Sequence, residues 1–189
     1  MTLPEIPYTP SRNLTVVETA KLVRQVLKAD FPGVKFSVRS SSYAGGASIR
    51  VGWTDGPTAK QVEQVTNLYR GASFDPMIDL KSVHDSILVG DDGTPEKVHF
   101  GADYIFAERD LSDEFRAELL AEISEAVGRE IPDPKITGDW HVQVNACTSA
   151  DEDGIRRVYG MTDESDTEGI STLIHQLQVT RDRREGVTA

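Results

Sequence analysis

Three stretches of the chain place hydrophobic residues at the spacing of an amphipathic helix. The first follows Thr15, which has capping-box spacing to Glu18, and the second follows Thr58, which has the same spacing to Gln61. The third follows Ser112, a residue type that caps helices well. The apolar faces of the three predicted helices consist of Val16, Ala20, Val23 and Leu27; of Val62, Val65, Leu68 and Tyr69; and of Phe115, Leu119, Ile123 and Val127.

Between the first two helices, hydrophobic and polar residues alternate with a period of two. Residues 34–39 and 47–53 both show this alternation, which is typical of half-buried antiparallel strands. The residues between them, 40–46, are rich in serine and glycine and predict a mobile loop that is too long for a tight turn. Further strands are predicted at 82–90 and 97–112, around a turn at 91–93, and at 139–144.

This order of elements predicts an α+β fold, an antiparallel sheet covered by two or three amphipathic helices. The α+β domain is expected over residues 14–146, after an extended arm at 1–13 that contains three prolines. Residues 147–189 are polar and acidic, and they predict a partly flexible C-terminal segment. Within it, residues 170–177 fit a terminal helix and a strand about equally well.

The net charge of −11 falls entirely in the second half of the chain. Residues 1–100 carry 11 basic and 11 acidic side chains, whereas residues 101–189 carry 9 basic and 20 acidic ones. A protein that neutralises phosphates over its whole surface needs a cationic footprint, so this distribution argues against that class. The acidic half is compatible with solubility, with repulsion of nucleic acid, or with mimicry of a phosphate backbone by residues 151–168.

Cysteine content and hydropathy predict a cytoplasmic protein that makes no contact with a membrane. Cys147 is the only cysteine, which leaves no partner for an intramolecular disulfide. No apolar run approaches the roughly 18 residues that a membrane span needs. The N-terminus also lacks the basic and apolar regions of a signal peptide.

No residue pattern indicates catalysis, a metal site or a cofactor. His84 and His99, with Asp85 nearby, do not match a fixed metal-ligand spacing. Cys147 lacks the motif of a thiol nucleophile, and no serine elbow or phosphate-binding glycine loop is present. We therefore expect a protein that is not an enzyme, with no catalytic residues, metal or cofactor.

The predicted hairpin carries basic residues on its polar face. Lys35, Arg39 and Arg50 should point away from the core, and Tyr43 lies in the loop, where it can stack on a base or pack on a partner. These four residues form the candidate binding site, for a phosphate or an acidic protein surface. Two alternatives remain open, an ordinary solvated strand face and internal pairing with the acidic half.

Four stretches of the chain resemble a known family. They are "FPGVKFSVRSS", "YAGG", "SIRVGWTDGP" and "HFGADYIFAERDLS". With them, residues 14–110 resemble the twenty-ninth large polyvalent protein-associated domain family, which occurs in phage, plasmid and conjugative-element proteins. The resemblance implies a mobile-element protein that acts on host defence or accompanies transferred DNA, and it carries over no catalytic residue.

Two functions follow from these observations. The leading hypothesis is a non-enzymatic phage or mobile-element accessory protein that binds a host protein, such as a defence or nucleic-acid-processing factor. The alternative is a nucleic-acid-binding module that uses the basic hairpin face. Strong salt dependence of binding would favour the alternative.

Overall fold

The computed structural model describes residues 11–75, 77, 80–89, 93–161 and 167–183. The helices are α1 (Val16–Asp30), α2 (Ala59–Thr66), α3 (Asp113–Val127), α4 (Pro134–Thr137) and α5 (Ile170–Gln178), with a 3-10 turn at Asn67–Tyr69. The strands are β1 (Arg12–Asn13), β2 (Ser37–Tyr43), β3 (Gly46–Thr54), β4 (Ala72–Asp75), β5 (Leu80–Val83), β6 (Ser86–Val89), β7 (Pro95–His99), β8 (Tyr104–Asp110), β9 (Gln143–Val144), β10 (Ala146–Ala150), β11 (Arg156–Gly160) and β12 (Glu168–Gly169). Small, mainly antiparallel sheets and helices confirm the predicted α+β class.

The chain forms two compact units built from interleaved segments. The described residues of the first unit lie within 1–32, 36–52 and 63–108, and those of the second within 33–35, 53–62 and 109–189. The division expected from composition, with boundaries after residues 13 and 146, stays a prediction.

Helix α1 belongs to the first unit and forms as predicted. The amide of Glu18 donates to Thr15 Oγ1 at 3.2 Å, and the amide of Thr15 donates to Glu18 Oε2 at 2.8 Å, which completes the capping box. Its four predicted apolar residues are buried, and the helix packs against β2. Arg24 adds a hydrogen bond to the backbone oxygen of Val38 at 2.6 Å.

The hairpin β2–β3 has longer strands and a shorter turn than the sequence predicted. Tyr43 pairs directly with Gly46, so the turn contains only Ala44 and Gly45, and the predicted long loop at 40–46 is wrong. Gly45 has φ +94°, which L side chains rarely adopt, and this conformation closes the turn. A Cβ on Gly46 would lie 2.3 Å from Asp103 Oδ2, so a side chain at this position would displace the Asp103 carboxylate. The serines have weak strand preference, but pairing with β3 overrides it.

The hairpin and the further described strands of this region are arranged in three small sheets. Their strand orders are β2-β3-β8, β1-β7-β6 and β4-β5. Strands β4 and β5 pair with each other in antiparallel orientation. A small core of Leu14, Val98 and Phe100 lies under the second of these sheets. The predicted turn at 91–93 falls largely outside the described residues.

Helix α2 begins as predicted and ends early. The amide of Thr58 donates to Gln61 Oε1 at 2.7 Å, and the amide of Gln61 donates to Thr58 Oγ1 at 3.3 Å. The helix stops at Thr66, and the chain then turns through a 3-10 segment. Leu68, which the helical spacing assigned to the apolar face, is therefore 71% exposed.

The second unit has its own hydrophobic core, to which the C-terminal region contributes. Residues 146–150 and 156–160, most of which belong to the segment predicted to be partly flexible, form the antiparallel pair β10–β11. Residues 170–178 form helix α5, which decides between the helix and the strand that the pattern left open. The core consists of Phe115, Leu119, Leu120, Ile123, Ile131, Val144, Ala146, Val158, Ile170, Leu173, Ile174 and Leu177. Of the acidic run at 151–168, residues 162–166 lie outside the described residues.

Candidate binding surface on the hairpin sheet

The alternation of β8 places two aromatic side chains on the outer face of the β2-β3-β8 sheet. Ile105 is buried, whereas Phe106 is 44% exposed and Tyr104 is half-buried. On β3, Arg50 is exposed between the buried residues Ile49 and Val51. The sheet therefore has an apolar inner face and an outer face that combines rings with a guanidinium group.

Tyr104 and Phe106 stack on each other along one strand. Their ring centroids lie 6.1 Å apart, and the ring planes are inclined by only 14°. This pair was not among the predicted site residues, although "YIFAE" contains the signal. Since Ile105 faces inward, its two aromatic neighbours must face outward.

An arginine flanks each ring of the pair. The guanidinium carbon of Arg50 lies 5.5 Å from the ring centroid of Phe106, and that of Arg70 lies 6.0 Å from the centroid of Tyr104. Both distances are in the range of cation–π contacts. The two stacked rings thus lie between two cations, in the order Arg70, Tyr104, Phe106 and Arg50.

Arg39 extends this surface onto β2. In the hairpin register Arg39 lies directly opposite Arg50, and both side chains are exposed. Arg50 forms an ion pair with Glu108 of β8. The side chain of Arg39 has no hydrogen bond or ion pair with any residue in the described part of the chain. We call the surface formed by Arg39, Arg50, Arg70, Tyr104 and Phe106 the aromatic face.

Of the four predicted site residues, Arg39, Arg50 and Tyr43 lie on the hairpin. Tyr43 is 50% exposed and ends β2 next to the tight turn. Lys35 does not lie on the strand as predicted, because β2 begins only at Ser37 and residues 33–35 belong to the second unit. Whether these residues bind a partner stays a prediction.

Lys81 and Asp103 form an ion pair close to the turn. Lys81 Nζ lies 2.8 Å from Asp103 Oδ1, and this hydrogen bond raises the pKa of Lys81 above its ordinary value. Asp103 Oδ2 also accepts from the amide of Ala47 at 3.1 Å. Asp103 therefore fixes the hairpin, and its charge is compensated by Lys81.

The histidines and the cysteine take part in local contacts. Ser73 Oγ and His84 Nε2 lie 2.7 Å apart, and His99 Nδ1 lies 3.0 Å from the backbone oxygen of His84. Asp85 pairs with Lys97, which lowers the pKa of that carboxyl. Cys147 Sγ lies 3.5 Å from the sulfur of Met161. Within the part of the chain that the structure describes, no group of three or more His, Cys, Asp or Glu side chains is arranged to hold a metal ion.

No helix in the described ranges combines the length and the apolar character needed to cross a bilayer.

No curated protein and no solved structure matches this chain. The family model for large polyvalent protein associated domain 29 matches residues 14–112, just over half of the 189 residues. The match includes α1 and all three strands of the sheet that carries the aromatic face. The chain therefore belongs to the large polyvalent protein associated domain 29 family.

Proposed function

We propose that this chain is a non-enzymatic accessory protein of a phage or another mobile element, and that its aromatic face binds single-stranded nucleic acid in the host cytoplasm. The observation that carries the proposal is the stacked, outward-facing pair Tyr104–Phe106 between Arg50 and Arg70. Membership of the polyvalent-protein-associated family supports the mobile-element context.

Stacking explains why a single strand suits this face. Every base has a flat π surface, and stacking a base on a protein ring contributes about 1–3 kcal/mol by alanine substitution. In a duplex those base surfaces are covered by neighbouring base pairs, whereas in a single strand they are free to splay out onto a sheet. Phe106, 44% exposed, offers such a platform, and the Arg50 guanidinium adds a second planar group.

In this proposal, charge contributes less than stacking to the affinity for a single strand. The face and its edge carry the cations Arg39, Arg50, Arg70 and Lys81, and two of them are compensated by Glu108 and Asp103. With about two phosphates neutralised, a single strand would show a slope of log K against log salt near −1.4, since each phosphate contributes about −0.7. The compensation of two of the cations therefore replaces the strong salt dependence expected from the sequence with a weak one, and binding should survive moderate salt.

A second candidate is the function that the sequence favoured, binding of a host protein in counter-defence. The net charge of −11 supports it, because an acidic chain repels nucleic acid at long range. Tyr, Phe and Arg are also enriched at the centres of protein interfaces. Under this alternative the same face would bind an acidic or aromatic protein segment.

The deciding experiment is a fluorescence anisotropy titration with short, labelled oligothymidylate, with single-stranded RNA and with a matched DNA duplex. We expect both single strands to bind the wild type more tightly than the duplex does. Phe106→Leu, which keeps an apolar side chain but removes the ring, should weaken single-strand binding by about 5- to 150-fold, equivalent to about 1–3 kcal/mol.

Tyr159→Leu is the matched control, because Tyr159 is a comparably exposed aromatic residue (47%) in the second unit. It should bind like the wild type. Absence of single-strand binding by the wild type, or equal binding by Phe106→Leu, would overturn the proposal. Capture of a folded host protein by the wild type but not by Phe106→Leu would then favour the second candidate.

A further inference from the structure

Two arginines face each other across the hairpin without a shared partner. In the antiparallel register Arg39 and Arg50 are directly opposite, where Cβ atoms typically lie about 4.5–5.5 Å apart. Like charges in this position repel each other and destabilise a hairpin. A pair of guanidinium groups at this spacing also matches the oxygens of a single phosphate, which accepts forked hydrogen bonds from arginine.

One of the two arginines, Arg50, is already paired with a carboxylate. Glu108, on the neighbouring strand β8, contacts Arg50 Nη1 and leaves Arg39 without a partner among the described residues. Arg50 and Glu108 keep 63% and 51% of their side-chain surface exposed, so the pair contributes little to stability. An exposed ion pair of this kind is easily exchanged for another anion.

We infer that Glu108 is a built-in competitor for the ligand, a carboxylate that holds Arg50 where a backbone phosphate of a single strand would bind. The inference rests on the proposed function and adds its regulation. In the free protein Glu108 neutralises Arg50 and relieves its repulsion from Arg39. When a strand stacks on Phe106, a phosphate replaces the carboxylate, and Arg39 and Arg50 bind it together.

The mechanism predicts that neutralising Glu108 improves binding. Glu108→Gln keeps the size of the side chain but removes the carboxylate that the phosphate has to displace from Arg50 and that would take up a salt cation once displaced. Affinity for oligothymidylate at low salt should rise by about three- to tenfold, and the slope of log K against log salt should become steeper by about 0.7. A merely structural role for Glu108 would not change the slope.

Glu96→Gln is the matched control. Glu96 also forms an exposed ion pair, with Arg12, and its substitution changes the net charge by the same amount at a different sheet. This variant should leave the salt slope unchanged. Side-chain NMR of the arginine Nε–H groups, with and without oligothymidylate, would show whether the signal of Arg50 moves on binding.

The outcomes separate this inference from the proposed function. If the wild type binds single strands and loses binding on Phe106→Leu, but Glu108→Gln behaves like Glu96→Gln, the competitor role is wrong and the function stands. If neither the wild type nor Glu108→Gln binds any single strand, both fail. Tighter binding and a steeper slope for Glu108→Gln alone establish the competitor.

Discussion

The two units of this protein use their arginines differently. In the second unit every described arginine from Arg109 to Arg183 donates hydrogen bonds to its own unit. In the first unit Arg12 and Arg24 also donate hydrogen bonds within their unit. Arg39, however, is exposed and its side chain has no described partner, and Arg50 and Arg70 lie against exposed or half-buried rings. The contrast shows that the net charge of a region does not reveal where its cations are available to a ligand.

The cluster around Phe115 illustrates the structural use of arginine. Arg109 donates to the backbone oxygens of Asp55, Gly56 and Gln178 at 2.8–2.9 Å. Arg109 and Arg183 both lie over the ring of Phe115, at 5.4 and 5.0 Å from its centroid. Burial lowers the pKa of Arg109, but an arginine stays cationic in proteins. These cations join the turn at 55–56 to the C-terminal residues and are not free to bind a partner.

Removing a core side chain from helix α5 should give the largest effect. Leu173 is fully buried in the core of the second unit, so Leu173→Ala should lower the free energy of unfolding by about 2–5 kcal/mol. Leu68→Ala, at a 71% exposed position of the first unit, should change it by less than about 0.5 kcal/mol. Urea denaturation of both variants measures the difference, and a small effect at Leu173 would show that α5 is not part of this core.

The next largest effect on stability should come from substituting Arg109, which is hydrogen-bonded within its unit, in comparison with the exposed Arg50. Arg109→Met leaves three backbone oxygens without their donor and should cost about 1–3 kcal/mol of stability. Arg50→Met removes only an exposed ion pair and a ring contact, so it should cost less than about 1 kcal/mol. If Arg50→Met were the more destabilising in urea denaturation, the distinction between structural and available arginines would be wrong.

The ion pair between Arg181 and Glu122 should make the second unit sensitive to acid. Two hydrogen bonds from Arg181, at 2.5 and 2.8 Å, lower the pKa of Glu122. Because the folded-state pKa is lowered, the stabilisation is present above the unfolded value of about 4.3 and is lost as the pH falls through the folded pKa.

Arg181→Ala should therefore destabilise the protein more at about pH 7 than at about pH 3, in urea denaturation at both values. Arg129→Ala is the control, since Arg129 donates to the backbone oxygen of Gln143 and not to a carboxylate. Its effect should be small and independent of pH. A pH-independent loss for Arg181→Ala would show that its hydrogen bond to the backbone oxygen of Arg156 dominates.

The smallest expected effect is on the salt dependence of binding, and it concerns Lys35 and Arg39 of the predicted site. If the aromatic face binds a single strand, Arg39→Gln should reduce the salt slope of binding by about 0.7, one phosphate contact. Lys35→Gln, before β2, should change the slope less than Arg39→Gln does. Titrations at several salt concentrations compare the two, and a larger change at Lys35 would move the binding surface away from the strand face.

Elements whose signals are local could be predicted from the amino-acid sequence. The capping boxes at Thr15 and Thr58 and the apolar periods of α1 and α3 depend only on residues within a few positions of each other, and these helices form where predicted. Arg39 and Arg50 were placed on the outer face because the period of a strand fixes which side chains share it. The end of α2 escaped prediction, since nothing in the spacing of Leu68 shows that the helix has already stopped.

Features that depend on residues far apart in the chain became visible only in the folded structure. Serines 40–42 became strand because β3 supplies their partners, and 170–178 became helix because its apolar face enters the core of the second unit. The alignment of Phe106 and Glu108 with Arg50 depends on pairing between segments about 56 residues apart, which no local pattern encodes. The alternation of residue types along a strand thus indicates which side chains face solvent. Which of these side chains contact one another depends on the order of the strands in the sheet.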